Sequence, residues 1–556
     1  MLTLFIYSCL VVIISIPFSE LFITDKQNNF YSYSKKLIFS VLFLSFLGLI
    51  LNFLTALNIY VTSSVTILNL ILFYKYKKNY FNLKFFTFVC FQGLFISILI
   101  LESNVYRPDA GLYHLPFIGI LNSEKIIIGM SNLHIRYGLT SILQYFSAIN
   151  NNLIFKDNGI VFAQAIIAST VILNFLSLIL KYNESKNYNF HYFFLIFILI
   201  YISYKMNRYS EYGNDAPAHF LFFFLISEIL LFRKKFNNDE YLNQITLTFF
   251  IITNKLTLIP ILLFNLINIK KIKWKDFFLH KKFKILILIS LLWLIKNIFI
   301  TGCLIYPIKN LCIEKLPWAN IDTTEKVSIS AEAWTKGISD IDNKNIDEKT
   351  FIKKFNWINA WLSKHFKLIV NILYPYIIFI VILGILFKIK SIEYSKKNIP
   401  ELTFLLTVSL ITIIVWFYKA PLYRYGYSQI IVFVSLISAA IFANFKLKEY
   451  ILSRFTGIII ILCISVFSIK NVNRIIKTDN NSFNYPWPKY YSMRSSNSLE
   501  KYNFKEIDNV EVYYPIDGGY CMYLKKICAH YQSDINQLLI EKKFKYLFVK
   551  KIFDNN

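Results

Sequence analysis

Apolar residues in this chain come in runs of about twenty, and those runs recur along most of its 556 residues. A hydrocarbon core about 30 Å thick takes roughly 20 helical residues to cross. Runs of that kind lie at 2–22, 37–56, 58–74, 83–101, 160–181, 189–206, 216–232, 283–300, 366–388, 400–418, 425–443 and 454–470. A further stretch, 242–269, is interrupted by Asn254 and Lys255 and contains Pro260; it reads as two short spans meeting in a tight hairpin. The expected fold is therefore an all-α polytopic membrane protein of about fourteen transmembrane helices. A soluble fold fails on area. With 56% of residues hydrophobic and 17% charged, there is more apolar surface than a 65.7 kDa globule can hide. The first run lacks a basic leader and a small-residue cleavage site, so it reads as an anchor.

The formal charge of +27 would suggest nucleic acid in a soluble chain. Here Lys, Asn, Ile, Phe and Tyr are all abundant while Gly is scarce, a coding bias, so the distribution of charge informs more than its sum. No nucleic-acid partner is called for. Loops 23–36, 75–84, 182–188, 233–241, 270–282, 389–399 and 444–453 hold 22 Lys/Arg in 74 residues, against 4 in 58 for loop 102–159. Cytoplasmic loops carry the basic excess. Segments 207–215, 301–365 and 419–424 then lie outside with both termini, in the periplasm if the membrane is a bacterial inner membrane. The chain divides into N-terminal helices (1–82), a core with outer loop 102–159 (83–300), a large periplasmic loop (301–365), C-terminal helices (366–470) and a polar tail (471–556). The tail ends in the alternating stretch Tyr546-Leu547-Phe548-Val549 and reads as a small extracytoplasmic α/β domain.

Cys9, Cys90 and Cys463 fall within spans as apolar fillers. Cys303 and Cys312 share one outer loop, Cys521 and Cys528 the tail, and two close pairs outside the cytoplasm suggest two local disulfides. Zinc is the competing reading, but CxxC-type spacing is absent and no His is suitably interleaved. No Gly-rich phosphate loop follows a strand. No cofactor is called, and any metal requirement stays open.

Polar residues gather where spans meet the outer face. Glu102, Arg107, Asp109, Tyr113 and His114 follow the fourth span; Asp109 alone could be a helix N-cap, but a cap does not need that crowd beside it. Asn132, His134 and Arg136 open an apolar run to Ile149 that is too short to span and reads as an interfacial helix. Arg208, Glu211, Asp215 and His219 share one short loop, for which a solvated turn is the bland alternative. Lys255 stands at the hairpin tip, Lys296 inside the tenth span where it could simply snorkel, and Arg424 beside Tyr425 in Pro421–Ser428. Carboxylates able to accept a proton, set beside cations able to hold an anionic head group, suit transfer from a lipid-phosphate donor.

An outer loop with an acidic residue directly after a span, then two interfacial helices (109–121 and 135–149), then a span, resembles the GT-C superfamily of polyprenyl-phosphate-dependent glycosyltransferases. The resemblance covers roughly 83–300, with weaker echoes at 366–443, and "TNKLTLIP" (253–260) is similar to that group's paired helices. The motifs "DAGLYHLP", "SEYGNDAPAH", "GCLIYP" and "YRYGYS" also resemble a family of largely uncharacterised bacterial membrane proteins. The first resemblance implies an inverting transfer of a sugar from a polyprenyl-phosphate carrier to an envelope glycan, lipid or protein acceptor. It places the base on Asp109 and the phosphate-binding cations on Arg424 or Lys255. The polar clusters themselves add His114 and Asp215 to the catalytic set, positioning the acceptor or the base, Arg136 and Lys296 to the carrier-phosphate set, and Tyr113, His134, Glu211, His219 and Tyr425 as substrate-positioning residues. This chain departs from the pattern in having three spans before the core and in setting Glu102 seven positions before Asp109 rather than next to it. The alternatives are a polysaccharide polymerase or O-antigen ligase, weakened because 301–365 has no Arg and only His365, and a flippase, which calls for paired mid-membrane charges in repeated spans. Only Glu228 and Lys296 lie well inside spans, Glu228 near a cytoplasmic end facing the interface.

Overall fold

The computed structural model describes residues 2–23, 27–102, 109–206, 212–232, 237–340, 346–395, 399, 401–477, 483–484, 487–488, 501–516 and 520–551. Helices dominate, because uncharged apolar runs in hydrocarbon can satisfy their backbone polar groups only internally. In chain order the long ones are α1 (Leu2–Ser15, continued as a 3-10 turn to Leu21), α2 (Phe30–Leu54), α3 (Ile59–Lys75) and α4 (Leu83–Glu102). Two short helices follow, α5 (Leu115–Ser123) and α6 (Leu143–Ile149), then α7 (Phe162–Glu184), α8 (Phe190–Lys205), α9 (Asp215–Phe232) and α10 (Asn238–Asn254). After a 3-10 helix, Leu256–Lys271, come α11 (Lys281–Thr301), α12 (Ile321–Thr335), α13 (Lys367–Lys390), α14 (Leu402–Lys419), α15 (Tyr423–Phe442) and α16 (Glu449–Lys477). Asparagine starts several of them. Asn29, Asn58, Asn189, Asn237 and Asn320 each accept a hydrogen bond from a first-turn backbone N–H.

Ten helices among the described residues are long and apolar enough to cross a membrane, and α3 and α8 are shorter apolar helices. The chain is a multi-pass membrane protein, with ten such helices where fourteen spans were expected. The difference lies in α3, α8 and the hairpin. The hairpin is real as a turn at Lys255, but only its first arm is α-helical. The second is 3-10, which rises about 2 Å per residue, so its sixteen residues extend about 32 Å. The apolar run 135–149 is likewise not one interfacial helix. A 3-10 turn, Ile135–Leu139, precedes a break at Thr140 and Ser141, and α6 is buried over its whole length. It packs on α2 and α5.

Burial separates inner from outer helices. In α9, 83% of the span is buried, against 22% in α16, whose exposed Ile and Leu side chains suit lipid. At the end of the bundle away from Asp109, charges are paired rather than solvated. Lys35 lies 3.4 Å from Glu228, which also accepts from Tyr31, and Lys36 and Tyr80 each meet Glu20 at 2.7 Å. Glu228, expected at the interface, is thus 3% exposed because Lys35 on α2 reaches it. A buried charge is costly unless it has such a partner.

The tail forms two hairpins, β1 (Tyr502–Ile507) with β2 (Val510–Pro515) and β3 (Leu538–Lys543) with β4 (Tyr546–Lys551), and Cys521–Cys528 and Cys303–Cys312 are both disulfide-bonded. It docks onto 109–159. Val549 donates its N–H to Ile128 O at 2.8 Å, and Ile128 returns one to Leu547 O at 2.9 Å. The Tyr523 hydroxyl donates to Asn122 at 2.9 Å and accepts from Asn151 at 2.8 Å. Two glycines permit the approach: a Cβ on Gly119 would stand 2.5 Å from Leu524 O, and one on Gly129, whose φ is +75°, 2.1 Å from Val549 O. Gly119→Ala should therefore weaken tail docking by about 1–3 kcal/mol. Trypsin should cleave the tail of that variant faster than wild type; equal rates would show that the contact is not tight.

Candidate active site

Four helix ends meet at one end of the bundle, each carrying a charge into the same hollow. Asp109 begins the π-helical turn that leads into α5, and its side chain makes no cap hydrogen bond. It pairs instead with Arg136 at 2.8 Å. Asp215 is the first residue of α9, where the helix dipole favours a carboxylate. Lys255 is extended, at the joint between α10 and the 3-10 helix, and its ammonium pairs with Asp215. Arg424 sits in the first turn of α15. Its guanidinium lies 3.7 Å from Asp109 and 3.8 Å from Asp215, so residues more than three hundred positions apart share one site.

Asp109, Asp215, Lys255 and Arg424 line a cavity of about 470 Å³ together with Tyr113, His114, Gln164 and Tyr425, and Arg136 stands beside it through Asp109. The side chains of Asp109 and Arg424 are 33% and 31% exposed, so water reaches the site. Aromatic faces shape the cations. Lys255 Nζ stands 3.7 Å from the Tyr425 ring centroid, and Arg424 lies 5.3 Å from Trp334, a residue of α12 in the large loop. Among the described residues the cavity wall carries two cations and two carboxylates, and Arg136, paired with Asp109 beside it, adds a third cation. Arg424 Nη2 donates to the Tyr425 hydroxyl at 3.0 Å, while its Nε–H is buried with no hydrogen bond among the described residues.

His114 is 3% exposed. Burial lowers its pKa to about 4, against the pull of Asp109 and Asp215, so the imidazole is neutral at physiological pH. Burial, with Asp109 and Asp215 nearby, pushes the Tyr113 phenol upward and keeps it protonated. A second cavity, of about 1420 Å³, shares Tyr113, Asn214, Lys255 and Tyr425 with the first. Its walls include Leu139, Leu256, Ile259, Trp293, Ile305 and Ile308.

A family model described as a domain of unknown function, DUF8201, matches residues 1–431. The chain belongs to the DUF8201 family. No curated protein and no solved structure matches it. The matched part of this DUF8201 chain contains Asp109, Arg136, Asp215, Lys255 and Arg424, and the tail lies beyond it.

Other candidate residues of the DUF8201 chain lie elsewhere. His219 is fully buried; its ring bonds Ser428 at 2.6 Å and the Arg424 carbonyl at 2.9 Å, so it braces α15 behind the cavity. His134 stacks edge-on against His530 of the tail at 4.3 Å. Lys296 is 1% exposed and donates to the Thr140 carbonyl at 3.2 Å, one layer behind the larger cavity. Glu211, Arg107 and Arg208 fall outside the described residues, as does the side chain of Glu102. Gln144, Gln164 and Trp334 carried no sequence signal. They lie on apolar or loop stretches whose place beside the charges only tertiary packing sets.

Burial also lowers the His134 pKa, to about 3, with His530 adding to the effect. Unfolded, the imidazoles of His114 and His134 would take up protons below about 6.5. Their contribution to stability is therefore complete above that pH and is lost as pH falls toward 4 and 3. The detergent-solubilised protein should lose thermal stability between pH 6.5 and 5, and a His114→Gln/His134→Gln variant should lose less over that interval. Parallel melting curves would refute the assignment.

Proposed function

We propose that this protein is a GT-C-type glycosyltransferase of the bacterial inner membrane. In this reading it moves a sugar from a polyprenyl-phosphate carrier to an envelope acceptor at the periplasmic face, where both termini lie. The observation that carries the reading is Arg424. A guanidinium standing off from two carboxylates, with a buried Nε–H that makes no hydrogen bond among the described residues and with Lys255 and Arg136 close by, is suited to phosphate oxygens. The adjoining larger cavity supports an amphipathic ligand, since its apolar wall begins where the charged one ends. GT-C kinship rests on the order of loop, helices and span in the sequence.

The reaction then runs as follows in terms of this chain's residues. Asp109 takes the proton from an acceptor hydroxyl, whose oxygen bonds to the anomeric carbon from the face opposite the phosphate. The bond from that carbon to the phosphate oxygen breaks, and the electron pair leaves with the phosphate. Arg424, Lys255 and Arg136 stabilise the charge that builds there, in place before it forms. Asp215 holds Lys255 and Arg424 in position. Trp334 and α12 cover the cavity from the large loop.

Removing a general base costs about 10²- to 10⁴-fold in rate. Asp109→Asn should therefore abolish detectable transfer while expression, detergent elution and melting stay close to wild type. Cells carrying it should accumulate a polyprenyl-phosphate-linked sugar. Normal transfer by a well-folded Asp109→Asn protein would remove the assignment.

A further inference from the structure

The cavity's one imidazole is held so that its protonation pattern can be read from its neighbours. The Ser141 N–H donates to Gln144 Oε1 at 2.9 Å. That fixes the amide's orientation, because the opposite flip would set two donors against each other. Gln144 Nε2 then lies 3.0 Å from His114 Nδ1 and 3.4 Å from the His114 carbonyl. An amide nitrogen can only donate, so Nδ1 must accept, and the ring proton resides on Nε2. All of this is buried: Ser141, Gln144 and His114 are each at most 3% exposed. Nε2 faces the cavity floor; a Cβ on Gly213 would lie 3.4 Å from it. The charged groups that act on the ring are Asp109, Asp215, Lys255 and Arg136.

We infer that His114 is a fixed, uncharged hydrogen-bond donor to the phosphate of the bound ligand, its Nε2–H aimed by the Ser141–Gln144 relay, and that it takes no proton. This rests on the reading of the cavity as a lipid-phosphate site. It separates two kinds of work within one hollow. Arg424, Lys255 and Arg136 supply charge, which attracts any anion. His114 supplies direction, which a monophosphate oxygen can meet and a dispersed charge cannot. A neutral donor also leaves Asp109 as the only base the cavity needs.

Binding of a long-chain polyprenyl monophosphate to the full-length protein in detergent, followed by native mass spectrometry from pH 5.5 to 8, tests this. A hydrogen bond to a charged group contributes about 1.5–3 kcal/mol, so His114→Ala should weaken binding by roughly tenfold or more. His114→Gln, whose amide can place a donor near the Nε2 position, should stay within about threefold of wild type. Gln144→Glu keeps the shape but turns the partner of Nδ1 into an acceptor. The ring proton should move to Nδ1 and the cavity lose its donor, so that binding relative to wild type is weakened at pH 8. It should recover as acid protonates the ring and restores both N–H groups. Unchanged binding by His114→Ala, or a Gln144→Glu ratio that does not vary with pH, overturns the inference while leaving the cavity's function intact. Failure of wild type itself to bind, with Arg424→Gln no different, overturns the functional reading and this inference with it.

Discussion

Charge is costly to leave unpaired where a membrane protein excludes water, and that constraint organises both ends of this bundle. At one end the problem is closed: Lys35, Glu228 and Tyr31, and separately Lys36, Glu20 and Tyr80, satisfy one another. At the other end it is left open. Among the described residues Arg136, Lys255 and Arg424 meet two carboxylates, and Arg424 touches both at long range. The first arrangement locks helices together. The second leaves attraction to spare for an anion that arrives from outside.

The surrounding elements serve that second end. The turn between α10 and the 3-10 helix delivers Lys255, and Asn254 secures it by accepting from the Leu143 N–H and donating to the Phe250 carbonyl. His219 holds the backbone of Arg424 from behind. The large loop brings Trp334 over the guanidinium, and the tail clamps residues 111–132 through backbone hydrogen bonds and Tyr523. None of these braces is itself charged, so they place Asp109, Arg136, Asp215, Lys255 and Arg424 without adding to their field.

Much of this was readable before any coordinates, for physical reasons that differ by element. Long apolar runs are local signals, so α2, α4, α7 and α11 sit close to where hydropathy puts them. The charges of the cavity were visible because each stands beside the end of an apolar run, where lipid offers no reason for it. What could not be read was orientation. His219, His134 and Lys296 look from sequence like Asp215 and Lys255, yet packing turns them behind the wall, against the tail or under Thr140. The 3-10 form of Leu256–Lys271 has no composition of its own, and the short apolar run of α6 looks interfacial until α2 and α5 are known to cover it. Gln144 is the clearest case. A lone glutamine in an apolar run says nothing, and its meaning comes entirely from Ser141 on one side and His114 on the other.

The most direct test of the account is an experimental structure in lipid nanodiscs with a polyprenyl-phosphate-linked sugar present. The account predicts phosphate oxygens about 3 Å from the Arg424 guanidinium and the Lys255 ammonium, with the prenyl chain leaving through the larger cavity. A carrier lying elsewhere on the bundle, while Asp109, Asp215 and Arg424 keep their own pairing undisturbed, would contradict it.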